Sequence, residues 1–128
     1  MARSMSPCSA IPVVVVDDDA AFRIGVAANL ADDGHPVYQC EDPRDVTHER
    51  LATAHILVTD YHLANTDGIS FADRVHRTRP GLVIVLATAY WTVEVEAAVA
   101  ARPLVHLCHK PVDYEDLHVR IHELANTA

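Results

Sequence analysis

Four short apolar runs rich in β-branched residues punctuate the chain: PVVVV at 12–16, ILVT at 56–59, LVIVLAT at 82–88 and LVHLC at 104–108. A strand with one wet face alternates apolar and polar residues, so near-continuous runs of this length describe strands buried on both faces. PVYQC at 36–40 reads as a weaker fifth strand. Segments of helical length lie between and after them, at 20–31, 43–52, 69–79, 91–101 and 114–127. The last is the clearest, with Leu117, Ile121 and Leu124 at i, i+4 and i+7 and Asp113 placed as an N-cap. Strand and helix alternating five times implies right-handed crossovers and an α/β fold: a five-stranded parallel sheet, doubly wound, with helices on both faces.

At 128 residues the chain has room for one domain and a substantial core. It is 50% hydrophobic and 22% charged with only 4 Gly, the composition of a folded protein. A net charge of −8 argues against a nucleic-acid or anionic-membrane surface, since both select basic patches, and favours cations or basic partners. Cys8, Cys40 and Cys108 show neither CxxC nor zinc-finger spacing, which fits a reduced cytoplasmic chain. Residues 1–10, MARSMSPCSA, hold no apolar core and read as a flexible segment ahead of a domain at 11–128. The IPVVVV run stops at Asp17, too short for a secretory or membrane-spanning segment.

VVVVDDD, Val13 to Asp19, drives a buried strand into three carboxylates. Two unit charges 4 Å apart repel by about 4 kcal/mol at an effective dielectric near 20, so the cluster requires a positive partner. In a doubly wound sheet, ligands gather beyond the carboxyl ends of the strands. The first strand ends in Asp17, Asp18 and Asp19, the third in Thr59 and Asp60, the fourth in Thr88 and Ala89, and the fifth in His109, Lys110 and Pro111. Carboxylates, a hydroxyl and a lysine thus converge on one rim, suited to Mg²⁺ and a phosphoryl group.

VVVVDDDAAFR, LVTDYHLANTDG, LATA and HKP, each at a strand end and in this order, make the chain resemble the receiver domain of two-component response regulators over about residues 11–126. The resemblance implies a flavodoxin-like (βα)5 fold. It further implies Asp60 as phosphoacceptor, Asp17 and Asp18 as the acidic pair holding Mg²⁺ with Asp60 and the backbone carbonyl of His62, Thr88 as the hydroxyl that reads the phosphoryl group, and Lys110 as its counter-charge. A cis peptide is implied at Lys110–Pro111, and Asp19 is placed at the start of the first helix. The implied function is phosphoryl acceptance on Asp60 from a histidine kinase or phosphotransfer protein, passed to a downstream protein by a conformational shift. The domain is then a phosphoacceptor rather than an enzyme, limited to its own phosphorylation and dephosphorylation.

Leu107 departs from the pattern, standing where the family usually carries an aromatic switch three residues before the lysine. Ala64 replaces a common proline, while Asp67-Gly68 remains for the loop. Two other functions fit parts of the chain: a phosphorylation-independent interaction module, and a haloacid-dehalogenase-type phosphatase using Asp17. The second lacks a late acidic pair after Lys110. His118 and His122 share a helix face in HVRIH, but no glutamate follows the first and no third ligand is apparent, so a solvated face is expected. His106, Cys108 and His109 alternate faces on a strand and read as core and rim.

Overall fold

The computed structural model describes residues 10–127. Apart from Ala10, the segment expected to be flexible lies outside the described residues. Five parallel strands form one sheet: β1 (Val13–Val16), β2 (Val37–Cys40), β3 (Ile56–Thr59), β4 (Val83–Thr88) and β5 (Val105–His109), in the order β2-β1-β3-β4-β5. This is the flavodoxin-like arrangement, whose strand order reverses between β1 and β3 and opens a crevice beyond their carboxyl ends. Register brings those ends level, with Val16 opposite Thr59 and Thr59 opposite Leu86.

Because successive side chains point to opposite faces, the strands split their apolar residues between two cores. Val13, Val15, Ile56, Val58, Val83 and Val85 meet one layer made by α1 (Ala20–Ala31) and α5 (Tyr114–Thr127), through Phe22, Val26, Leu30, Leu117 and Ile121. Val14, Val16, Leu57, Ile84 and Leu86 meet the other, contributed by α3 (Gly68–Thr78) and α4 (Val93–Ala100) through Phe71, Val75, Val95 and Val99. Gly25 lies where the first layer closes, and a Cβ there would overlap the Tyr114 ring unless that ring moved.

Helix starts follow side-chain caps. Asp19 accepts from the Phe22 amide at 3.1 Å, Asp67 from Ser70 at 2.8 Å, Thr92 from Val95 at 3.1 Å, and Asp113 from Glu115 and Asp116 at 2.9 and 3.2 Å. The Thr92 cap shortens the fourth helix relative to the expected 91–101. The helix expected at 43–52 is divided. Asp42 caps a single 3-10 turn at Pro43–Asp45, the chain becomes extended at Val46, and Thr47 caps a new helix, α2 (His48–Thr53). α2 buries no residue completely; the Arg79 guanidinium holds its C-terminal end by donating to the carbonyls of Leu51, Ala52 and Ala54.

A second departure concerns His118 and His122. The solvated face expected for them is instead turned against the α1–β2 turn, where their rings pack against His35, which is buried. No helix among the described residues is long and apolar enough to cross a membrane.

Candidate functional site: an acidic pocket with a central lysine

Asp17 leaves β1 completely buried, and both carboxylate oxygens are engaged: Oδ1 accepts from the Asp19 amide at 3.0 Å and Oδ2 from the Lys110 ammonium at 2.7 Å. Burial pushes its carboxyl above the usual range, opposed by the Lys110 hydrogen bond. Asp60 follows β3; its Oδ1 takes the Tyr61 amide at 2.6 Å and its Oδ2 faces Lys110 Nζ at 3.4 Å. Asp19 stands 3.8 Å from the same ammonium.

Lys110 is carried to this point by the last ladder bond of β5, its amide donating to Thr88 O at 2.9 Å, and is followed by a cis peptide to Pro111 as the sequence implied. The ammonium lies 4.4 Å from the Phe22 ring centroid. Burial pulls its pKa down, but Asp17 and Asp60 together outweigh that and raise it, so the lysine stays charged between them.

Asp18 is exposed, and one carboxylate oxygen from each of Asp17, Asp18 and Asp60 lies within 4.8 Å of the others. A set of hard oxygen donors with an open, wet side fits Mg²⁺, which takes one or two carboxylates, keeps waters and prefers oxygen ligands. Thr88 is buried at the end of β4; its hydroxyl accepts from the Tyr90 amide at 2.9 Å. The Thr59–Leu86 register sets Thr88 one step past the level of Asp60. His62 opens a two-residue ribbon in which His62–Leu63 pairs antiparallel with Thr66–Asp67. The sequence thus brings Asp17, Asp18, Asp60 and Lys110 together directly, with Thr88 at the neighbouring strand end and His62 in the adjoining ribbon.

Two features of the rim add contacts to positions the sequence singled out, Asp67-Gly68 for the loop and His62 and Tyr90 two residues beyond Asp60 and Thr88. Gly68 is buried where α3 starts, and a Cβ there would strike the Asp60 carbonyl oxygen and the Leu86 side chain. The helix can approach the Asp60 loop only because that position is glycine; its amide donates to Tyr61 O at 2.6 Å. The second feature is an aromatic group over the adjoining loops. Tyr61 and Tyr90 stack with centroids 5.2 Å apart and planes 18° from parallel, and the His62 ring meets Tyr90 edge-on at 4.5 Å. Its sequence signal was that each ring lies one or two positions from Asp60 or Thr88. Leu107 is half-buried and packs with the second core.

Comparison with known proteins identifies the family. The family model for response regulator receiver domains matches residues 13–122. The transcriptional regulatory protein ZraR of Escherichia coli K12 is 25% identical over 119 residues; the match covers 91% of this chain but 27% of that protein, so the chain spans about a quarter of its relative. Among solved structures, a CheY-like receiver domain protein from Methanospirillum hungatei JF-1 superposes with a TM-score of 0.81 at 23% identity, covering 92% of this chain and 95% of the other. The beryllofluoride-activated NtrC4 receiver domain dimer gives 0.82 at 20% identity, covering 91% and 97%. With the family pattern matched from β1 to α5 and the acidic pocket formed at the strand ends, the chain belongs to the response regulator receiver domains of two-component systems.

Proposed function

We propose that the Asp60 carboxylate attacks the phosphorus of a phosphohistidine on a histidine kinase or phosphotransfer protein. The P–N bond breaks, its electron pair returns to the imidazole, and an aspartyl phosphate remains on Asp60. The observation that carries this reading is Lys110, hydrogen-bonded at once to Asp17 and Asp60: a fixed cation stands where three phosphoryl oxygens would be added. Asp17, Asp18, Asp60 and the His62 carbonyl would hold Mg²⁺, which supplies charge neutralisation to the transferring group. Thr88 exchanges its bond with the Tyr90 amide for one to the phosphoryl group, and the loop after β4 moves with it. The resulting change of surface is read by a downstream protein. The cytoplasm is the proposed compartment, where Cys40 and Cys108, both free thiols, remain reduced.

Incubation with Mg²⁺ and a radiolabelled small phosphodonor such as phosphoramidate tests the assignment. The expected product is acid-stable, hydroxylamine-labile phosphate, absent from Asp60→Asn. Label on Asp17 would replace this reading with a dehalogenase-type phosphatase, and no label under any donor would leave an interaction module.

A further inference from the structure

On the face of the molecule made by α1 and α5, four donor atoms converge. One ligand atom from each of Asp33, His35, His118 and His122 lies within 4.8 Å of the others. The carboxylate oxygen is 3.6 Å from His35 Nε2, 3.4 Å from His118 Nε2 and 3.5 Å from His122 Nε2, and His35 Nε2 is 2.9 Å from His122 Nε2. Zinc bonds imidazole nitrogen and carboxylate oxygen at about 2.0–2.2 Å, so the edges of a tetrahedral zinc site are roughly 3.3–3.6 Å. Three of the measured separations already have that length. We infer that this cluster is a zinc-class divalent metal site, with His35, His118 and His122 bound through Nε2 and Asp33 through Oδ2, clamping α5 to the α1–β2 turn.

The hydrogen bonds around the cluster support this assignment. His118 Nδ1 donates to Asn29 Oδ1 at 2.8 Å, leaving Nε2 with its lone pair. That nitrogen is buried without a hydrogen-bond partner and lies 3.4 Å from the Asp33 oxygen, so in the neutral ring two electron-rich atoms oppose each other. A cation resolves the conflict, and a second side chain bonded to the remote nitrogen is the usual support for a metal-binding histidine. Three imidazoles and one carboxylate select Zn²⁺ or a neighbouring transition metal over Mg²⁺, which prefers oxygen donors throughout. Access is open on the side of Asp33, along a groove also lined by Glu115 and Glu123, two further carboxylates that favour a cation's approach.

His35 imposes one condition. Its Nδ1 accepts the Ile11 amide at 2.9 Å, so without a metal its proton sits on Nε2 and points at His122. Ligation through Nε2 by the neutral ring requires that proton to move to Nδ1, and a protonated Nδ1 can no longer accept from the Ile11 amide, so that bond is lost. Loss of one amide bond is small beside binding by four ligands, so metal capture also alters the backbone just ahead of β1.

The protein saturated with Mg²⁺ would be titrated with Zn²⁺ against a chromophoric chelator, and with Co²⁺ in the visible range. One Zn²⁺ per chain and the intense bands of tetrahedral Co²⁺ are expected, with a shift of the Ile11 amide resonance. Asp33→Asn and His122→Gln alter side chains that reach solvent, and should each weaken binding by at least about 100-fold; Asn29→Ala, which removes a supporting bond, should do so by about 10–100-fold. Asp18→Asn should leave binding unchanged, separating this site from the acidic pocket. Absence of one-to-one binding at micromolar Zn²⁺, full affinity in both ligand variants, or loss of affinity in Asp18→Asn would overturn the site. An unmoved Ile11 amide in the zinc form would overturn the four-ligand set.

Discussion

Asp17 and Lys110 show how tightly the pocket is balanced at the level of single side chains. Asp17 has no exposure and is held by a 2.7 Å bond from one ammonium. Lys110→Met leaves a buried carboxylate unpaired and should cost about 3–5 kcal/mol in urea melts at neutral pH. The folded state of that variant holds the Asp17 proton more tightly than the unfolded chain does, so its deficit relative to the parent should shrink as pH falls through the carboxylate range. Asp18 is different, because it is exposed and shares the cluster without a cation of its own. Asp18→Asn should raise metal-free stability by up to about 1 kcal/mol. Millimolar Mg²⁺ should raise the parent's melting temperature, with about 2.7 kcal/mol available at a hundredfold excess over Kd, and should leave Asp18→Asn unmoved. These residues were legible because strand ends concentrate function. The histidine cluster was not, since His35 and His122 are 87 positions apart and only the α1–α5 packing brings them together.

Among the elements, the five strands lie within one residue of where their apolar runs placed them, because a strand buried on both faces has no polar position to blur its limits. The second helix was misread for the opposite reason. Asp42-Pro43 is a helix-start signal, but Thr47 is a second cap five residues after Asp42, and α2 itself buries no side chain completely that would favour one continuous helix. α2 therefore depends on Arg79 reaching across from the end of α3. Arg79→Ala should cost about 1–3 kcal/mol and raise amide exchange in residues 48–53 ahead of the rest of the sheet layer. Gly68→Ala tests a tighter joint. The added methyl meets a backbone carbonyl and a core leucine, so a loss of about 1–3 kcal/mol is expected in urea melts, together with slower phosphorylation because Asp60 itself is displaced.

Across the whole molecule, signalling requires that events at Asp60 alter a distant face, and coupling free energies of this kind are typically about 1–3 kcal/mol. Leu107 sits half-buried in the second core, at the position where the family resemblance leads one to expect an aromatic switch. Leu107→Tyr should therefore widen the difference between the metal-only and beryllofluoride-bound forms, measured as amide-exchange protection of α4 and α5, with Mg²⁺ affinity nearly unchanged. Thr88→Ala should narrow that difference in either background. If Leu107→Tyr does nothing while Thr88→Ala still removes the response, the hydroxyl is read through the Tyr61–Tyr90 stack instead. The loop concerned also contains the chain's single tryptophan. Trp91 stands three residues after Thr88, 41% exposed, with its indole N–H on Glu96 and its ring edge-on to His109 at a centroid distance of 4.7 Å. His109 ends β5 and immediately precedes Lys110, so the fluorophore rests against one strand end that borders the pocket and follows closely on another. The protein consequently carries its own optical probe: a change in Trp91 emission intensity and wavelength should report the loop's position in real time, without a label.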